Sequence, residues 1–239
     1  MALESADIDA QKAEHRQRLE LVAGRLSGYF GEPYWHIKLP AVDELVCTIL
    51  SQNTNDINRD KAFQALKTHY PDWESVLLAD PSELQQVIAI AGLANQKGPS
   101  IQNALRAIFE ERAEFDLDWL AEKTPAEARD WLLSLKGVGP KTAAIVMVFS
   151  LGMPAFPVDT HIFRVSGRIG LRPKTLNVEK THAYFLEIGD PATFGTLHIN
   201  LIELGRQICH PRKPDCPHCP DCDLCEYEEK TVELASGRQ

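Results

Sequence analysis

The chain has 239 residues, enough for one large domain or two small ones, and its 44% hydrophobic and 25% charged content is that of a globular protein, which excludes disorder for most of its length. The 34 acids against 25 bases give a net charge of −9, which excludes a protein that holds nucleic acid by bulk positive charge, so any such contact must be local. Five of the six cysteines fall between Cys209 and Cys225 and mark one site rather than a disulfide framework for the whole chain.

Met1 to Leu21 alternates acids and bases without the apolar stretch of a signal peptide, so a reducing cytoplasm is the expected location. Leu19, Val22, Leu26 and Phe30 predict an amphipathic helix that Gly28, Gly31 and Pro33 fray and end. Val42, Leu45, Val46, Ile49 and Leu50 predict a second, followed by the polar loop Ser51-Gln52-Asn53-Thr54-Asn55-Asp56. Asp80-Pro81-Ser82-Glu83 starts a helix carrying Leu84, Val87 and Ile88, after which Gly92-Leu93 makes a turn. Further helices carry Ile101, Ala104, Leu105, Ile108 and Phe109, and then, from the cap Thr124-Pro125-Ala126-Glu127, Ala128, Trp131, Leu132 and Leu135. The longest apolar run, Ala143 to Met153, is too short for a membrane span and predicts a buried helix. No strand pattern occurs, so the fold class expected is all-α.

Between the helices ending near Leu135 and starting near Thr142 lies Lys136-Gly137-Val138-Gly139-Pro140-Lys141. Two glycines permit positive φ and close backbone approach, and the free N–H groups that open the second helix can take a phosphate without basic side chains. The same pattern serves an ordinary interhelical turn. Further on, Phe156-Pro157-Val158-Asp159-Thr160-His161 places Asp159 as the cap of a helix carrying Ile162, Val165 and Ile169. A helix from Lys141 to about Ser150 rises roughly 15 Å, and the eight residues that follow can return up to about 26 Å, so Asp159 is able to come back beside Lys141.

Cys209, Cys216, Cys219 and Cys225 have the spacing C-x6-C-x2-C-x5-C, with Cys222 left over. Four thiolates suit tetrahedral zinc or a [4Fe-4S] cluster, and the cysteines alone leave both open. Arg212 and Lys213 sit inside the first interval, as a small basic patch for phosphates or as two solvated charges. Cys47, among Val46, Ile49 and Leu50, is expected to be an inert core thiol.

Leu135 to Ala143 followed by Val158-Asp159-Thr160-His161 resembles the helix-hairpin-helix plus Gly/Pro-Asp signature of the endonuclease III family of DNA glycosylases, and the resemblance extends from about Leu39 to Lys230. It implies that Lys141 attacks the sugar C1′ and that Asp159 assists departure of the base, which makes a bifunctional glycosylase and abasic-site lyase of base excision repair. It also implies a [4Fe-4S] cluster on Cys209, Cys216, Cys219 and Cys225, because Leu204-Gly205-Arg206 before the loop and Leu224-Cys225-Glu226-Tyr227 after it are similar to the family's cluster region. An extruded nucleotide leaves a hole that protein side chains must fill; by resemblance Asn53, with Gln52 adjacent, plugs the gap and Leu93 wedges the opposite strand. Gly137, Val138, Gly139, Lys136, Arg212 and Lys213 complete the expected contacts.

The resemblance implies two helical domains with the DNA-binding cleft between them: a helical barrel over 38–149, with the hairpin at about 125–149, and a discontinuous domain of 1–37 plus 150–239 carrying the cluster loop at 209–225. The partner expected is duplex DNA with a damaged base or abasic site, met by a monomer in the cytoplasm, associated with the nucleoid and not with a membrane. Oxidised or damaged pyrimidines are the leading substrate class. A mismatch glycosylase for thymine or uracil, a 5-methylcytosine glycosylase of the same fold, and a non-catalytic DNA-binding or redox-sensing module remain as alternatives. The acidic balance does not oppose DNA, because from Asp215 to Gln239 seven acids stand against only Lys230 and Arg238, more than half of the net charge.

Overall fold

The structure, a computed structural model, describes residues 2–33 and 39–231. The expected boundary at 37 and 38 and the tail charges Glu233 and Arg238 lie outside the described residues. Eleven α-helices follow in chain order among the described residues: α1 (Ala2–Phe30), α2 (Ala41–Ser51), α3 (Asp56–His69), α4 (Trp73–Leu78), α5 (Pro81–Val87), α6 (Ala94–Arg112), α7 (Pro125–Ser134), α8 (Pro140–Phe149), α9 (Thr160–Ile169), α10 (Val178–Ile188) and α11 (Phe194–Gln207). Short 3-10 turns occupy Ala89–Ala91, Asp118–Glu122, Pro191–Thr193 and Cys216–His218. No strand occurs among the described residues, and the chain is all-α as its periodicity requires.

The chain divides into two compact units, one of Met1–Trp35 with Ala155–Gln239 and one of His36–Pro154. In the second unit α2 is the central element, packing on α3, α6 and α8 through its buried Val42, Leu45, Val46, Ile49 and Leu50. Each such side chain contributes about 1.5–3 kcal/mol on burial. Helices α5 and α7 start where their caps predict: Asp80 accepts from the N–H groups of Ser82 and Glu83, and Thr124 with Glu127 forms a reciprocal capping box. Helix α8 buries Thr142, Ala143, Ala144, Val146, Met147 and Val148, and no helix among the described residues is long and apolar enough to cross a membrane.

The core of the first unit joins α1, α9, α10 and α11 around Leu26, Phe156, Ile162, Phe185, Phe194 and Leu201. The expected end of the N-terminal helix holds, but Gly28 does not fray it. Helix α1 begins at Ala2, far ahead of Leu19, and runs through Gly28 to Phe30 before Gly31 turns at φ +82°. Three of its basic side chains reach across to other elements of the unit. Arg16 donates to the carbonyls of Ile188 and Glu187, Arg18 to the Ile169 carbonyl and to Glu226, and Lys12 pairs with Glu187 at 2.6 Å. Those contacts, together with the packing of Leu19, Val22 and Leu26, outweigh the roughly 1 kcal/mol that a helical glycine costs.

Candidate functional site

In the His36–Pro154 unit, three loops and one buried lysine form a connected group. The hairpin between α7 and α8 turns at Gly137 with φ +94°, and a Cβ built there would lie 2.5 Å from the Ser100 Oγ of α6, so only glycine fits. Val138 is buried beneath the turn, while Lys136 and Gly137 are exposed. Gly139 is the N-cap residue of α8 and contributes no side-chain cap, Pro140 takes the first helical position, and half-buried Lys141 is the second. The opening N–H groups of α8 therefore have neither an intrahelical nor a side-chain acceptor.

The loop after α2 reaches this hairpin. Gln52 Nε2 donates to the Gly137 carbonyl at 3.2 Å, so Gln52 is committed to bracing the turn. Asn53 beside it is exposed and held at φ +52°, in the left-handed region. Leu93 is also left-handed, at φ +50°, and 42% exposed. Such a conformation costs a residue with a Cβ about 1–2 kcal/mol, and strain of this kind gathers where a side chain must be aimed. Lys213, at φ +53°, is a third instance, and Ala113 the fourth among the described residues. Three of these four residues, Asn53, Leu93 and Lys213, are ones expected to meet DNA, and of the three only Asn53 is of a type that tolerates the left-handed region.

Asp159 belongs to the other unit. Asp159 is half-buried and caps α9, with Oδ1 accepting from the Ile162 N–H at 2.8 Å. The two carbonyls of the approach segment are tied down: His182 Nδ1 lies 2.9 Å from the Phe156 carbonyl oxygen and His198 Nδ1 3.0 Å from that of Pro157. Sequence reasoning passed over both histidines, which sit on the inner faces of α10 and α11.

The same unit holds the cysteine loop. Cys209, Cys216, Cys219, Cys222 and Cys225 all line one small cavity whose other walls include Arg168, Leu204 and Ile208. Arg168 fastens the loop, donating to the carbonyls of His210 and Pro211, approaching Cys209 Sγ at 3.4 Å, and stacking its guanidinium over Tyr227. Lys230 donates to the carbonyls of Cys222 and Cys225. Burial pushes the Cys219 thiol up to about 12 and raises Cys225 as well. Among the described residues no three His, Cys, Asp or Glu side chains are gathered around a point where one single metal ion would sit. Arg212 and Lys213 are exposed on this loop. Cys47 is half-buried rather than part of the core expected for it, and burial raises its thiol to about 11.

Residues 46–191 match the family of HhH-GPD superfamily base excision DNA repair proteins. The chain belongs to this superfamily. The matched span contains the hairpin, Lys141 and Asp159 and stops short of the cysteine loop. Among HhH-GPD relatives, a candidate DNA glycosylase of Arabidopsis thaliana is 38% identical over 143 residues, which are 60% of this chain and 49% of that protein. The chain thus spans about half the length of that relative. Endonuclease III of Thermotoga maritima is 34% identical over 172 residues, 72% of this chain and 76% of that one. A solved endonuclease III in non-covalent complex with DNA has a TM-score of 0.75 at 26% identity, covering 88% of this chain and 94% of that one. The endonuclease III resemblance of the hairpin sequence therefore holds at the level of the family and of the HhH-GPD fold.

Proposed function

We propose that this HhH-GPD protein is a bifunctional DNA glycosylase and abasic-site lyase that removes damaged pyrimidines from duplex DNA through a lysine Schiff base. The observation that carries the reading is Lys141 in the first turn of α8, directly behind a Gly-Val-Gly hairpin braced by Gln52. Hairpin N–H groups with Lys136 take phosphates, which suits a chain whose overall charge is negative. Cleavage of the N-glycosidic bond builds positive charge on the sugar, and the Asp159 carboxylate stabilises it. The Lys141 amine forms a bond to C1′ as the base leaves with the bonding pair. The attached nitrogen gives up a proton, the C1′–O4′ bond breaks with O4′ taking the bonding pair and a proton, and an imine forms; C2′ then loses a proton to a base, its electron pair becomes the C2′–C3′ double bond, and the 3′ phosphate leaves with the C3′–O bonding pair. Asn53 fills the vacated position and Leu93 wedges the opposite strand; Gln52, already hydrogen-bonded to the hairpin, acts as a brace.

Cys209, Cys216, Cys219 and Cys225 would hold a [4Fe-4S] cluster, and their common cavity in the Arg168-fastened loop fits that donor set. Bound, the cluster supplies iron–thiolate bonds that tie the loop presenting Arg212 and Lys213 to phosphate. Anaerobically purified protein is expected to contain about four irons and four labile sulfides per chain; stoichiometric zinc without sulfide would refute the cluster.

The function is tested by borohydride trapping on duplexes that each carry one defined lesion. A covalent adduct is expected with oxidised pyrimidines and with abasic sites. Adducts at abasic sites combined with base release only from G·T, G·U or 5-methylcytosine pairs would reassign the substrate. Absence of any adduct, with no strand cleavage, would leave a DNA-binding module.

A further inference from the structure

Lys97, in the first turns of α6, is only 2% exposed and is among the largest fully buried side chains of the described residues. Its Nζ donates to the Leu50 carbonyl and to the Ala91 carbonyl, each at 2.8 Å. Both acceptors lie at a helix end: Leu50 near the C-terminus of α2, and Ala91 as the last residue of the 3-10 turn before Gly92. The carbonyls that end a helix lack intrahelical donors and carry the negative end of its dipole. One ammonium thus satisfies two helix ends at once. Burial alone shifts this amine, and it lowers it, so the site is maintained against a desolvation cost.

The two carbonyls stand three residues before Asn53 and two before Leu93. The backbone N–H of Lys97 also donates to the Leu93 carbonyl at 2.9 Å. One turn further along α6, Ser100 underlies Gly137, which accepts from Gln52. A methionine would fill the volume of this side chain, but only a multiple donor reaches both loop roots. We propose that Lys97 is a positioning residue whose buried ammonium fixes the spacing of Asn53 and Leu93, so that plug and wedge enter the duplex as one rigid pair. The proposal rests on the reading of those two residues as the ones that enter DNA.

The test compares Lys97→Met, Asn53→Ala, Leu93→Ala and the Asn53→Ala/Leu93→Ala double variant with the wild-type protein. Base extrusion is read from the fluorescence of 2-aminopurine opposite an abasic site, and imine formation from borohydride trapping on a duplex and on a single-stranded abasic oligonucleotide that has no stack to open. Lys97→Met is expected to lower duplex trapping by about 10- to 100-fold, the loss that roughly 1 Å of misplacement brings, and to leave single-strand trapping within about 3-fold. Added to the double variant it should cost little more, because its effect passes through the same two side chains. A Lys97→Met protein that melts at lower temperature but keeps the wild-type ratio of duplex to single-strand trapping would overturn the proposal and make Lys97 a stability residue only. Unchanged 2-aminopurine signals in Asn53→Ala and Leu93→Ala would instead overturn the plug-and-wedge reading, and the proposal with it. Where Lys97→Met does not fold, Lys97→Arg, which keeps a buried cation but moves its donors, takes its place: a selective loss of duplex trapping supports the proposal, and an unchanged ratio overturns it.

Discussion

Lys141→Arg should bind abasic duplex DNA, form no borohydride-stable adduct, and cleave the strand at least about 10³-fold more slowly, a loss of about 4 kcal/mol of transition-state stabilisation. Arginine keeps a positive charge in the first turn of α8, but its guanidinium stays protonated at any accessible pH and cannot add to a carbon centre. The substitution therefore separates the two roles open to this side chain, phosphate contact and nucleophile. Only the second needs a free electron pair. Lys141→Ala, which removes both, should lose the adduct and also bind more weakly, with a shallower dependence on salt. Binding measured by fluorescence anisotropy and trapping measured on a gel, both on one abasic duplex, check the pair. Undiminished trapping in Lys141→Ala would place the nucleophile elsewhere in the chain and remove the central step of the proposed reaction.

Much of the second unit was legible because its signals are local. Asp80 and Thr124 start their helices through side chains two or three residues from their backbone partners, and the apolar stripe of α2 repeats with the helix period. The hairpin glycines could be read as a turn, since positive φ leaves a trace in residue type. What stayed hidden depends on distant partners. Lysine on a helix reads as solvated, and nothing around position 97 announces that its ammonium meets carbonyls 47 and 6 residues away. The same blindness hides the docking of α1, whose arginines bind carbonyls more than 150 residues downstream. Gln52 and Asn53 are both polar amides in one loop, and only the bond from Gln52 to Gly137 separates the brace from the exposed residue. Phe109 erred in the other direction: it continues the apolar stripe of α6 yet is 40% exposed, stacked on Phe115 outside the core.

Phe156→Ala should lower the stability of the first unit by about 3–5 kcal/mol, the range for truncating a buried phenylalanine, and its melting temperature by roughly 10 °C. Phe156 is 1% exposed, with its ring 4.6 Å from that of Phe185 and 5.1 Å from that of Phe194, so alanine leaves a hollow walled by two rigid aromatics that cannot collapse into it. Phe156 also begins the segment that leads to Asp159, and the His182 and His198 imidazoles hold its carbonyl and that of Pro157. Loosening this segment should therefore slow base release in addition to lowering stability, while the hairpin and α2 of the other unit keep their packing. Burial pushes His182 and His15 below the usual imidazole range, so both favour the neutral ring in the folded state. Their contribution is complete above the unfolded value near 6.5 and declines as the pH falls from there through their lower folded values. The variant, with less stability in reserve, should accordingly unfold at a higher pH than the wild-type protein during acid titration. Calorimetry across pH 5 to 8 measures both effects, and a Phe156→Ala protein within about 1 kcal/mol of wild type would show that the aromatic cluster does not anchor the Asp159 segment.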